Sequence, residues 1–395
     1  MLRLGLVTET FAPDINGVSH TLQHLVKGLL HQGWHLDLVR PKPRQSYLRA
    51  LDPSGRLCDW HAKGIGLPGY QDLQLGLGLP TDLRRHWSLH PPHVLYIATE
   101  GPLGFAALKY AQSQGIPVVS GFHTNFQLYT EHYGRLASYL HKPTLAYLRW
   151  FHNATHTTLV PNQQQALELG AQGLDNVHCL YRGVDTQRFN PQRRCQDLRR
   201  QWQANSETLV VTCVGRLAAE KNLDQVIETF QLIKAQHPDA RLVLTGDGPL
   251  HSHLMRKTQD IILPGTRTGI DLARHYASCD LFLFPSTTET FGNVILEAMA
   301  SGLPVLSYDY AGAQLLIEQG VSGYKVPLKD QTAFNQAALE LAAQPVLRTA
   351  LATGACKRIQ AFSWDTIVQN FIQYLMQARA QGVSCHEHTL DHSLS

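Results

Sequence analysis

Residues 284–305, FPSTTETFGNVILEAMASGLPV, decide the fold. A short apolar strand ends at Pro285, a Ser/Thr-rich turn follows, and a helix is expected to begin near Phe291 with Thr290 as its N-cap. The first amides of that helix, from Phe291 through Gly292 and Asn293 to Val294, lack intrahelical acceptors. They are expected to point toward the C-terminal ends of the strands, where an open α/β sheet keeps its ligand crevice. Gly292 lets a ligand approach that backbone closely, so the turn reads as a phosphate cradle.

Glu289 and Glu297 bracket the helix start at a spacing of eight. Eight helical residues rise about 12 Å, much more than the roughly 5 to 5.5 Å between the carboxylates of a retaining glycosidase. The pair therefore suits the two ends of an extended ligand, one acid on a sugar's hydroxyls and the other on a ribose. Standing alone, two surface glutamates flanking a helix would fit equally well. A pyrophosphate between carboxylates needs cations, and the first strand of this half runs into Gly215 and Arg216, with Lys221 five residues on. An arginine grips phosphate oxygens in a fork and a lysine supplies a point charge, although each alone reads as a solvated loop residue. In the other half, Asn16 and Gly17 sit in the turn that opens the first helix, and His123 follows a strand within SGFHTNF. Taken singly, a lone glycine turn and an isolated histidine are more often structural. The GxGxxG fingerprint is absent, which counts against a dinucleotide-dependent oxidoreductase.

Outward from these motifs, β-rich runs alternate with helical-period segments throughout, the pattern of parallel sheets covered by helices. Strands are expected at 2–8, 35–40, 94–99, 117–121, 157–161 and 177–181, and in the second half at 209–215, 240–245, 260–263, 281–285, 304–308 and 324–326. Val18, Leu22, Leu25, Val26, Leu29 and Leu30 share one face of a first helix that Gly33 terminates. The polar stretch TQRFNPQRR marks a linker near residue 186. The expected organisation is a Rossmann-like domain at 1–186, a second Rossmann-like domain at 187–363, a helix at 364–380 with Ile367, Phe371 and Leu375 on one side, and a disordered tail at 381–395. The tail's Cys385, His386, His388, Asp391 and His392 could suggest metal binding, but a frayed terminus is the plainer reading.

The 395 residues are 44% hydrophobic and 16% charged, ordinary values that exclude disordered and fibrous classes. No apolar run reaches the roughly 18 residues of a membrane span, and the N-terminus turns polar too early for a signal peptide, so the cytoplasm is the expected compartment. Seven scattered cysteines without CxxC spacing fit a reducing environment, with neither disulfides nor zinc expected. The net charge of +3 is too weak for a nucleic-acid partner. The first 190 residues carry 16 Lys and Arg against 12 Asp and Glu, and 14 of the 21 His, a balance compatible with an anionic membrane surface.

With these residues assembled, the chain resembles glycosyltransferase family 4, a family of retaining enzymes of the GT-B fold. The likeness is carried by ETFAPDINGVSHTLQHL, GFHTNF with HYG, RWFHNAT, LVPN, RGVDTQRFNP, VGRLAAEKNLD, LTGDGP and, most specifically, YASCDLFLFPSTTETFGNVILEAMASGLPV. It most resembles bacterial GDP-mannose-dependent α-mannosyltransferases and related lipid glycosyltransferases, including sulfolipid synthases. The resemblance implies an α/β fold of two Rossmann-like domains facing across a cleft, acceptor-binding at 1–186 and nucleotide-sugar-binding at 187–363, with a C-terminal helix crossing back to the first. It implies that Glu289 binds the transferred sugar, Glu297 the ribose, Arg216 and Lys221 the diphosphate, and His123 the sugar near its anomeric carbon, with Gly17 beside the phosphates. Residues 264–267, ending in Arg267, match the base-binding position, although PGTRTG departs from the commoner glycine-led form. No metal or cofactor is implied beyond the nucleotide-diphosphate sugar, and no DxD motif lies near the cradle. The expected reaction is transfer of a hexose, mannose from GDP-mannose, to a lipid or glycan hydroxyl with α linkage. A UDP-sugar-dependent lipid glycosyltransferase of glucosyl or sulfoquinovosyl type, a phosphorylase, a nucleotide-sugar epimerase and a non-catalytic nucleotide-sugar-binding protein are the alternatives. Residues 135–151 mix Arg135, Lys142 and Arg149 with Tyr139, Tyr147, Trp150 and Phe151, which fits either an interfacial segment at the cytoplasmic face of the inner membrane or core packing around Pro143.

Overall fold

The computed structural model describes residues 1–14, 17–43, 52, 54–67, 70–122, 134–257, 261–287 and 291–391. The chain forms two compact units, Met1–Tyr181 with Ile367–Ser395, and Arg182–Thr366.

The first unit contains β1 (Arg3–Val7), α1 (Gly17–His31), β2 (His35–Pro41), β3 (Leu57–Leu67), β4 (Tyr70–Leu77), α2 (Thr81–Leu89), β5 (Val94–Ile97), α3 (Pro102–Gln114), β6 (Val118–Gly121), α4 (Gly134–Asn153), β7 (Thr157–Val160), α5 (Gln163–Ala171) and β8 (Val177–Cys179). Its sheet has the order β4-β3-β2-β1-β5-β6-β7-β8. Strands β1 and β5 are buried on both faces, so they read as continuous apolar runs. Helix α1 buries Leu22, Leu25, Val26, Leu29 and Leu30 and closes where Gly33, at φ +83°, lets the Trp34 amide reach the Leu29 carbonyl. One face of the sheet packs Val7, Val39, Leu95, Ile97 and Val118 against Trp87, Leu103, Ala107, Leu108 and Phe151 from α2, α3 and α4.

Two of these strands escape the sequence reading. Gly64 and Gly66 lie in β3 among Asp59, His61 and Lys63, which breaks the apolar alternation. Tertiary contacts hold it instead: β3 pairs in parallel with β2, a buried ion pair joins Arg40 Nη2 to Asp59 Oδ2 at 2.8 Å, and β4 closes the edge antiparallel. The sheet is therefore mixed at one edge.

The second unit contains α6 (Gln196–Gln201), β9 (Val210–Val214), α7 (Leu223–Gln236), β10 (Arg241–Thr245), α8 (His251–Lys257), β11 (Ile261–Gly265), α9 (Gly269–Ala277), β12 (Leu281–Phe284), α10 (Asn293–Ala300), β13 (Val305–Tyr308), α11 (Gly312–Leu316), β14 (Gly323–Val326), α12 (Gln331–Ala343) and α13 (Pro345–Ile359). Its all-parallel sheet has the order β11-β10-β9-β12-β13-β14. That is the doubly wound order in which the chain reverses direction between β9 and β12. The division between units falls at Tyr181, ahead of the polar stretch at 186. Backbone pairing explains this: the Val184 amide donates to the Phe362 carbonyl and the Trp364 amide to the Val184 carbonyl, tying residues 182–186 to the end of the second unit.

The final helix, α14 (Trp364–Asp391), runs past residue 380. Residues 381–391 thus continue the helix instead of forming the separate disordered tail expected from the loss of apolar periodicity. Its apolar stripe is committed to the first unit: Ile367, Phe371 and Leu375 are buried, Val368 packs on Gly28 of α1, and the Phe371 ring meets Tyr96 edge-on at 4.8 Å. Each such fully buried side chain contributes about 1.5–3 kcal/mol.

Candidate active site

The reversal between β9 and β12 brings the two sequence motifs together. Gly215 and Arg216 follow β9, a single turn of 3₁₀ helix ends at Lys221, and Pro285 and Ser286 follow β12. Asn222 Nδ2 donates to the Pro285 carbonyl at 3.4 Å, joining the two loops. The Lys221 ammonium lies 5.8 Å from the centre of the Phe284 ring, and its Cε sits 4.0 Å from where a Cβ on Gly215 would project. Lys221 therefore lies across the carboxyl ends of both central strands. Arg216 is 67% exposed, and its described ion pair, to Glu220, is long at 3.9 Å, so its guanidinium faces solvent at the same strand end.

The neighbouring loops fasten this one from behind. The Gly215 amide donates to Thr245 O, Leu217 N to Asp247 O, and Leu250 N to Leu217 O, each at 2.9–3.0 Å. The LTGDGP motif supplies what this closeness requires. A Cβ on Gly246 would lie 1.9 Å from the Gly215 carbonyl oxygen, and one on Gly248 would lie 2.5 Å from that of Leu217. Both glycines also have positive φ, +144° and +159°.

Helix α10 starts at Asn293, two residues later than expected, and its N-cap is Gly292 in the left-handed region at φ +75°. Phe291 lies outside the helix with its ring in the core, 2% exposed, so only its backbone is available to a ligand. A Cβ on Gly312 would stand 1.6 Å from the Phe291 carbonyl oxygen, which shows how tightly the start of α11 presses on this turn. Asn293 is exposed and Val294 partly so. Glu297 follows one turn into the helix, half-buried, with Tyr276 of α9 donating to its Oε2 at 2.9 Å. Burial pushes its carboxyl up to about 7, against the hydrogen bond from Tyr276 and the charge of Arg188, which favour the ionised form. Burial likewise raises Tyr276 well above its ordinary value, with Glu297 adding to the effect. Sequence alone does not mark Tyr276 and Arg188 as site residues: both sit inside the motifs quoted above, but only the tertiary structure brings their hydroxyl and charge to bear on Glu297.

Arg267 stands apart from this group. It follows the edge strand β11, two strands from β9 and so roughly 10 Å to the side. Its guanidinium is engaged by Asp271 at 3.2 Å and the Pro264 carbonyl at 2.7 Å. In the first unit, Gly17 is the exposed first residue of α1. Asn16, His123 and Glu289 lie outside the described residues. Among the described residues, no group of three or more His, Cys, Asp or Glu is arranged to hold a metal ion, and the six described cysteines are free thiols.

Two parallel-sheet Rossmann-like units, one with a basic switch point, define a GT-B glycosyltransferase. The fold agrees with solved structures, among them HepE of Anabaena in complex with UDP, at a TM-score of 0.71 and 20% identity over 95% of this chain and all of that one. Family models match residues 15–188, as Glycosyltransferase Family 4, and residues 208–344, as Glycosyl transferases group 1. A GDP-mannose-dependent alpha-mannosyltransferase of Mycobacterium tuberculosis is 32% identical over 83% of this chain and 84% of its own length. Sulfoquinovosyl transferase SQD2 of Arabidopsis thaliana is 33% identical over 66% of this chain and 51% of its own. The chain belongs to glycosyltransferase family 4.

Proposed function

We propose that the protein transfers mannose from GDP-mannose to a hydroxyl of a lipid or glycan acceptor, with retention at the anomeric carbon and hence an α linkage. The observation that carries the reading is Lys221 lying across the ends of β9 and β12, with Arg216 following β9 and α10 being the helix that follows β12. This is where a diphosphate with two or more negative charges finds cations and helix amides together. In the proposed step the acceptor oxygen bonds to the anomeric carbon on the face the diphosphate leaves. The diphosphate departs with the electron pair of the broken C–O bond and takes up the acceptor's proton. Arg216, Lys221 and the amides of Asn293 and Val294 stabilise the charge that builds on it. Glu297 receives the ribose hydroxyls and Glu289 those of the sugar, with His123 near the anomeric carbon, Asn16 and Gly17 beside the phosphates and Arg267 toward the base.

Support for mannose comes from the curated mannosyltransferases that match most of the chain. The match to SQD2 favours a second reading, a UDP-sugar donor with a lipid acceptor. Incubating the protein with GDP-mannose or UDP-glucose, each with and without membrane extract, and measuring nucleotide release separates the two. Extract-dependent GDP release is the expected result, and it should persist in EDTA because the cations supply the neutralisation. UDP release in its place would establish the second reading. Nucleotide release with any donor and no acceptor, yielding an altered free sugar, would replace both with an epimerase.

A further inference from the structure

Tyr276, near the C-terminal end of α9, is fully buried and donates its phenolic proton to Glu297 Oε2 at 2.9 Å. Among the described residues this is the hydroxyl's one hydrogen bond, and no other side chain bonds the Glu297 carboxyl. A phenylalanine would fill the same apolar space, so the tyrosine oxygen is committed to Glu297. Its bond to Oε2 holds the plane of the carboxylate and leaves Oε1 to accept from a ligand.

The hydroxyl has little freedom to move. The Tyr276 ring packs edge-on against Phe189 and tilted against Phe282, each with ring centres 5.9 Å apart. Phe282 stacks on Phe284 at 5.7 Å, two residues along β12, and the Lys221 ammonium lies beyond Phe284 at 5.8 Å. One run of rings therefore joins the tyrosine beside Glu297 to the lysine at the strand ends, and close packing fixes their separation. Arg194 Nη1 pins the end of α9 from behind, donating to the Ala277 and Cys279 carbonyls at 3.2 and 3.0 Å. Arg188, itself paired with Asp185 at 3.5 Å, is the charge acting on Glu297, while the thiols of Cys213 and Cys279 stand near Tyr276.

We propose that Tyr276 is a positioning residue for the nucleotide: its hydroxyl orients the Glu297 carboxylate so that the ribose hydroxyls meet an oxygen already in place. Such a role presupposes the reading of Glu297 as the group that receives the ribose. Removing the hydroxyl keeps the ring packing but lets the carboxylate rotate, and it withdraws a donor that favours the charged form. Orientation and ionisation are thus lost together.

Calorimetric titration of the full chain with GDP, 2′-deoxy-GDP and 3′-deoxy-GDP, and with the matching UDP series, tests this whichever base the site takes. The parent should bind the deoxy forms about tenfold more weakly at pH 8. In Tyr276→Phe, affinity for the ribonucleotide should fall about tenfold at pH 7 and recover toward pH 9, because Glu297 then ionises at higher pH. Affinity for the deoxy forms should scarcely change. In a Glu297→Gln background the same substitution should cost about twofold or less, since the group it positions no longer ionises. Should Tyr276→Phe fail to fold, the parent decides the matter with tyrosine labelled by carbon-13 at Cζ. The resonance that Glu297→Gln displaces should then move on binding GDP or UDP and much less on binding their deoxy forms. No loss in Tyr276→Phe, a loss equal for ribose and deoxy nucleotides or equal at pH 7 and pH 9, or a resonance indifferent to the ribose hydroxyls would overturn the proposal alone. Equal binding of ribose and deoxy forms by the parent would remove the ribose reading of Glu297 first and this role with it, so the two failures are told apart.

Discussion

At the crossing of β1 and β5 in the first unit the strand ends carry Glu9 and Glu100; at the crossing of β9 and β12 in the second they carry Arg216 and Lys221. Both sheets reverse direction there, so the same topology opens a crevice at each. The chemistry is opposite. Glu9 is partly buried, accepts from the Leu103 amide at the start of α3 at 3.3 Å, and is pushed up to about 7 by burial, with Glu100 adding to the effect. Gly101 makes room for it, since a Cβ there would lie 2.1 Å from Glu9 Oε2. Tyr147 closes the same corner by donating to the Glu100 carbonyl at 2.6 Å. The two crossings thus carry side chains of opposite charge, and the difference lies in a few residues after the strands. The fold decides where a ligand sits, and the loops decide its charge.

The comparison breaks most completely at Lys221. Lys221→Ala should lower donor turnover by about 10²-fold or more, the cost of removing one preorganised charge from the leaving group, with an unchanged thermal midpoint. Unaltered nucleotide release from this variant would remove the basic crossing from the chemistry. Next in size is Gly246→Ala, which forces a Cβ into the Gly215 carbonyl at a φ that side chains rarely adopt. A loss of about 3 kcal/mol in denaturant unfolding, with weakened nucleotide binding, is expected.

The buried carboxyls sharpen the contrast through pH. A carboxyl whose folded pKa is raised costs nothing below its unfolded value. Its cost grows as pH rises from about 4.5 to about 7 and then levels off. Glu297→Gln should therefore stabilise the protein at pH 8, by an amount on the order of 1–3 kcal/mol, while leaving it unchanged at pH 4. The same substitution should weaken nucleotide binding about tenfold at pH 8 in calorimetric titration. In the parent, affinity should rise through pH 7 as Glu297 ionises, and that dependence should vanish in the variant. Glu9→Gln is the smallest effect: about 1 kcal/mol of added stability above pH 7, from thermal melts across pH, with donor affinity untouched. A comparable loss of donor affinity at Glu9 would mean that the two crossings do not differ in the way their charges indicate.

Local pattern settles much of this molecule. Long apolar runs can be buried only as central strands, and stripes such as Leu22, Leu25 and Leu29 only as helix faces, so the alternating layers and the terminal helix followed directly. The positions of Arg216 and Lys221 after a strand and of Glu297 in a helix were legible because short-range pattern marks strand and helix ends. The edge hairpin was not, since Gly64, Gly66 and Lys63 give no periodic signal and a buried ion pair to Arg40 holds the strand in place. Nor was the start of α10, where a left-handed Gly292 displaced the expected threonine cap.

The sequence by itself determined the fold class, the order of its central strands and which loops bear cations, because periodicity and turn chemistry act over a few neighbouring residues. Only the tertiary structure decided that Lys221 spans two strand ends, that Tyr276 hydrogen-bonds the Glu297 carboxyl and that Phe105 and Trp150 share one exposed patch. Those relations join residues far apart in the chain, and their distances are set by how sheets and helices pack.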